Sequence, residues 1–146
     1  MQNFKYCIWC LPEEGHDWYR RTYGYYPHIS IKTNLELDEA ILLFKKIKKD
    51  PLDIYLTDEI IAFNGNGFNA LYYKVGTKES PDWWPVDAHI SFDYRYNKLY
   101  TISELELFSK INLEKNCKIT KYWIVRCEGH YMNWKNQIVE IYNNKI

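Results

Sequence analysis

The tripeptide His-Ile-Ser occurs twice, at His28-Ile29-Ser30 and His89-Ile90-Ser91, in a chain with only four histidines. On a β-strand, residues i and i+2 share a face, so each copy projects an imidazole and a hydroxyl together. Ile29 and Ile31 in the first copy, and Ile90 and Phe92 in the second, would anchor the opposite face in a core. Two imidazoles can divide acid–base work, one neutral and accepting a proton, the other charged and donating one. Two hydroxyls can donate to the non-bridging oxygens of a phosphate as charge builds there. His28, His89, Ser30 and Ser91 together therefore suit phosphodiester cleavage that needs no metal. One His-x-Ser alone carries little weight, because most strand histidines are structural; the duplication in phase with apolar anchors is the signal.

The elements that must position these residues also repeat. FKYCIWCL (4–11) reads as a strand, and residues 16–26 carry one or two helical turns. PHISIKT alternates as a strand, and residues 35–49 form an amphipathic helix with Asn34 as cap and Asp50-Pro51 as stop. DIYLTDEIIAF and FNALYYKVG flank Asn64-Gly65-Asn66-Gly67, a strong hairpin signal. The second half follows the same order: strand 88–96, helix 103–111 with a Ser103/Glu106 capping box, and strands 118–127 and 136–143. The predicted fold class is α+β, one domain of two pseudo-symmetric lobes (about 1–77 and 78–146). Antiparallel strands would surround a central cleft, with helices outside.

At 146 residues the chain suffices for one domain with its own core. Nineteen basic and nineteen acidic residues cancel, so an anionic ligand must be read by a local site rather than by bulk charge. No stretch approaches the roughly 20 apolar residues of a membrane span, and no leader-like segment is evident. Four cysteines in that setting point to reduced thiols in the cytoplasm or nucleus. Cys7 and Cys10 form a C-x-x-C, but strand alternation sends them to opposite faces, and Cys117 and Cys127 do not make a matching pair. A third ligand to join His28 and His89 is also missing, so no metal and no cofactor is expected.

Paired H-x-S motifs followed by an apolar residue, here His28-Ser30-Ile31 and His89-Ser91-Phe92, resemble the 2H phosphoesterase superfamily. The resemblance covers most of the chain in element order. It implies that the histidines serve as general base and acid and that the serines bind phosphate. It also implies substrates such as 2′–5′-linked or cyclic (oligo)nucleotides, including nucleotide immune signals, with RNA 2′,3′-cyclic ends as the rival. A catalytically silent nucleotide- or RNA-binding module is the alternative of another class. One departure from many relatives is that residues 76–87 supply a loop where those carry a helix; this loop is expected to border the site. Lys32 lies in phase with His28 and Ser30 and is a candidate phosphate contact. Tyr25 and Trp84, entering the two motif strands, are candidate base-stacking residues. Arg95 and His130 are assigned to structure or surface. The partner expected is a nucleotide or short oligonucleotide, with neither membrane nor obligate protein partner.

Overall fold

A computed structural model describes residues 5–22, 24–65, 67–126, 132, 134 and 137–143. The strands are β1 (Tyr6–Pro12), β2 (Ile29–Leu35), β3 (Leu52–Asn64), β4 (Phe68–Thr77), β5 (His89–Tyr96), β6 (Asn116–Arg126) and β7 (Ile138–Asn143). Two α-helices, α1 (Leu37–Lys46) and α2 (Ile102–Ser109), and a 3-10 turn at Asp17–Arg20 complete the elements among the described residues. The fold is α+β, and every strand pairing in its one seven-stranded sheet is antiparallel.

The strand order is β2-β1-β6-β3-β4-β5, with β7 added on β6. Exchanging β1, β2 and β3 for β4, β5 and β6 returns the same order read backwards. Each repeat runs strand, motif strand, helix, strand, and its last strand pairs with the first strand of the other repeat. The two repeats, residues 6–64 and 68–126, thus share one continuous sheet. β2 and β5 end its two sides and approach each other, so the sheet curls until its motif strands meet.

One face of the sheet carries the main core. Ile8, Cys10, Ile29, Ile31, Ile54, Ile90, Phe92, Ile119 and Ile124 project there, covered by Ala40, Phe44 and Ile47 and by Trp18 of the 3-10 turn. The opposite face carries a smaller cluster of Cys7, Trp9, Leu11, Trp123 and Val125. Cys7 and Cys10 do face opposite ways, as strand alternation requires.

The helix caps differ from the sequence expectation. α1 is capped by Glu36, which forms a capping box with Glu39, while Asn34 sits at φ 60° in a register irregularity of β2. Its helix ends at Lys46, because Ile47 turns extended to insert its side chain into the core. α2 begins one residue earlier than expected, on a Thr101/Glu104 box; threonine accepts from the N3 amide as well as serine does. Among the described residues no helix is long and apolar enough to cross a membrane.

Candidate functional site

The cavity between β2 and β5 has a volume of about 390 Å³ and is lined by both histidines and both serines. Strand geometry builds it the same way twice. Ser30 pairs with Trp9 and Ser91 with Tyr72, and in each motif strand the next residue is an extra one, a β-bulge. The register resumes at Ile8 opposite Lys32 and at Leu71 opposite Asp93. The bulged residues, Ile31 and Phe92, remain in the helix-side core, which pins each strand while its phase shifts. The next cavity residue is therefore three positions beyond each serine, at Thr33 and Tyr94.

This bulge corrects the assignment of Lys32. Unbroken alternation would bring it beside Ser30; with one residue inserted, Lys32 is exposed and Thr33 lines the cavity instead.

Each histidine is held by two contacts. The Nδ1 of His28 lies 2.8 Å from the carbonyl of Tyr26, and that of His89 lies 2.8 Å from the carbonyl of Asp87. A carbonyl only accepts, so Nδ1 carries the proton in both rings and Nε2 is left as the reactive nitrogen. The rings are then clamped from the neighbouring strand. Trp9 stacks on His28 at 3.6 Å and 13°, and Tyr72 lies against His89 at 4.4 Å and 41°. Among the described residues, neither Nε2 nor either serine Oγ has a protein hydrogen-bond partner. Four polar groups converge on one small volume with their bonding capacity unspent.

The two halves differ in exposure. His28 is 7% exposed, beneath Trp9 and edge-on to Trp134, whereas His89 is half-buried. Burial pushes the His28 imidazolium down to about 4, with the charge of His89 acting the same way and the Tyr26 carbonyl opposing. His28 is therefore neutral near pH 7.

No ionised carboxylate, lysine or arginine is among the described lining residues. Lys74 stands opposite His89 in register but is bound to Asp87 at 3.1 Å and near Glu59 at 3.7 Å. No group of three His, Cys, Asp or Glu side chains among the described residues could hold a metal ion.

Tyr25 and Trp84 do not line the cavity. Tyr25 is buried, donates its hydroxyl to the Ser91 carbonyl at 3.1 Å and packs edge-on to Tyr94. It braces the second motif from the segment leading into the first. Trp84 packs with Trp83 against the helix-side core. The 78–88 loop folds over that side, where Trp83 meets Tyr122, and only its end, at Asp87, reaches the site. Arg95 is structural: it pairs with Glu104 at 2.6 Å and lies over the Tyr100 ring. His130 lies outside the described residues.

The described lining residues missed from sequence are Trp9 and Tyr72, which clamp the histidines, Thr33 and Tyr94 beyond the bulges, and the apolar set Cys7, Phe63, Phe68, Ala70 and Trp134. A faint signal existed in Cys7-Ile8-Trp9 and Ala70-Leu71-Tyr72, each a small residue two before an aromatic. Different loop lengths, 19 residues from Trp9 to His28 but 17 from Tyr72 to His89, obscure it. The sequence matches no protein-family model and no curated protein, so the functional reading rests on the paired motif and this geometry.

Proposed function

We propose that this protein is a metal-independent phosphodiesterase that cleaves a nucleotide phosphodiester by acid–base catalysis between His28 and His89. The substrate class is a 2′–5′-linked or cyclic (oligo)nucleotide. The observation that carries this reading is the convergence of two unspent Nε2 atoms and two unspent serine hydroxyls in one cavity. In both histidines Nδ1 is the donor to a backbone carbonyl, so Nε2 is the nitrogen that takes up or gives a proton.

The asymmetry of burial assigns the roles. Neutral His28 takes the proton of the attacking hydroxyl, either water or a ribose hydroxyl next to the phosphate, as the new P–O bond forms. His89, entering as imidazolium, gives its proton to the leaving oxygen as the old P–O bond breaks. The serine hydroxyls donate to the non-bridging oxygens, whose charge grows in the transition state. One proton has then moved from nucleophile to leaving group by way of the two rings, and exchange with solvent or the reverse roles in a second step resets them. The Trp9 and Tyr72 clamps keep both Nε2 atoms aimed while protons move, which is the preorganisation such a step needs.

The palindromic strand order, with a motif strand at each end meeting across the cleft, supports the pseudo-symmetric two-lobed 2H phosphoesterase arrangement. A substrate panel in EDTA tests the reading: 2′–5′ oligoadenylate, 2′,3′-cyclic-phosphate RNA ends, cyclic dinucleotides and plain 3′–5′ RNA. Turnover of a 2′–5′-linked or cyclic member is expected. Cleavage restricted to RNA ends would move the substrate to the rival class. Binding without cleavage of any member would make the protein a binding module.

A further inference from the structure

The two halves of the cavity are equivalent in backbone but not in side chains. In register, Phe63 of β3 pairs with Ala70 of β4, and Ala70 pairs with Tyr94 of β5. Paired residues share a face, so these three form a row of ring, methyl, ring across three strands. Outer strands of such a trio lie roughly 10 Å apart, and the alanine between them leaves a slot one planar ring system wide. Phe68, stacked on Tyr94 at 5.3 Å and 26°, covers part of that ring and joins it in one aromatic wall. The corresponding row in the other half, Val125 paired with Cys7 beside Thr33, carries no ring.

The slot's walls stay open. Phe63 is 51% exposed and Tyr94 half-buried, although rings of this size are usually covered in a folded chain. Ser91 and Tyr94 stand opposite Tyr72 and Ala70, two positions apart on β4, so with the bulge between them they are roughly 7 Å apart along the sheet, a span matching that from a phosphorus to the base of its own nucleoside. A volume of about 390 Å³ suits one nucleoside with its phosphate, not two. Among the described residues the lining carries no carboxylate, lysine or arginine. A further phosphate on the bound nucleoside would meet no lysine or arginine among the described lining residues, and the ring faces of Phe63 and Phe68 offer it no hydrogen bond.

We propose that the slot between Phe63 and Tyr94, floored by Ala70, stacks the base of a terminal nucleoside bearing no phosphate of its own, so that the protein acts on the last phosphodiester of its substrate. The inference rests on the phosphodiesterase reading and specifies which end of the substrate enters the site.

The probe is 2′–5′-linked diadenosine monophosphate, compared with the same molecule phosphorylated on its 5′ end or on its 2′/3′ end. In EDTA, phosphate at one of the two ends should lower kcat/KM at least about a hundredfold, while phosphate at the other costs little. Phe63→Ala and Ala70→Val, one removing a wall and one filling the slot, should raise KM about tenfold with kcat held within a few-fold. Circular dichroism checks that both fold. Binding of the three probes to the His89→Ala protein, read by tryptophan fluorescence, reports on the slot without turnover. If all three bind alike and Phe63→Ala changes nothing, the slot proposal is overturned even where cleavage proceeds. If none is cleaved but binding shows the end preference, the slot stands and the catalytic reading falls.

Discussion

A buried neutral His28 has a direct thermodynamic consequence. Its ring is depressed from 6.5 to about 4 by burial. In the unfolded chain it takes a proton below about pH 6.5, whereas in the fold it stays neutral until about pH 4. Between those values the unfolded state binds more protons, so acidification removes stability. At 1.36 kcal/mol per pH unit of separation, the loss reaches roughly 2–3 kcal/mol by pH 4.5. That is a sizeable part of a total stability of about 5–15 kcal/mol. His28→Asn keeps a donor for the Tyr26 carbonyl but cannot titrate. It should be less stable at pH 7.5, since it leaves a gap beneath Trp9, and the difference from wild type should shrink by about 2–3 kcal/mol by pH 4.5. Urea unfolding of both proteins at pH 4.5 to 7.5 measures this, and carboxylate titrations common to both cancel in the difference. Parallel stability profiles, or a His28 ring that titrates near 6.5 by NMR, would refute the buried neutral base.

Three further outcomes follow from the packing. Tyr25→Phe removes the hydroxyl that holds the Ser91 carbonyl and should cost about 1 kcal/mol in urea unfolding; kcat should fall more than KM changes, because Ser91 loses its brace. Lys32→Ala should leave kcat/KM within about twofold, since an exposed lysine beyond the bulge touches nothing in the cavity. Trp84→Ala should lower thermal stability by about 1–3 kcal/mol and leave kcat/KM intact below its melting range.

That His28, Ser30, His89 and Ser91 share one cavity was legible in the sequence because strand periodicity is local. His28 with Ser30, and His89 with Ser91, need only i, i+2 spacing and apolar neighbours. The bulges were not legible, because an extra residue is defined only against a partner strand. Ser30 opposite Trp9 and Ser91 opposite Tyr72 are pairings across 21 and 19 positions of chain. That hidden residue exchanged Lys32 for Thr33 and brought Tyr94 into the cavity. The Phe63–Ala70–Tyr94 row spans three strands and has no sequence period at all. Trp84 misled for a related reason: an aromatic just ahead of a motif strand can turn to either face of the sheet, and this one joined the helix-side core. The cap shifts, from Asn34 to Glu36 and from Ser103 to Thr101, are two positions each, since Glu39 and Glu104 complete capping boxes there.

Whether the two histidines act as one unit in one cavity is measured most directly by a double-mutant cycle. His28→Ala, His89→Ala and the double variant are assayed in EDTA on the best-cleaved member of the nucleotide panel. Each single variant should lose about 10²–10⁴ in kcat, the double variant should be little worse than either, and wild-type activity should be unaffected by EDTA. Losses that multiply, a single variant that keeps wild-type kcat, or activity that EDTA removes and a divalent metal restores would contradict the two-histidine mechanism.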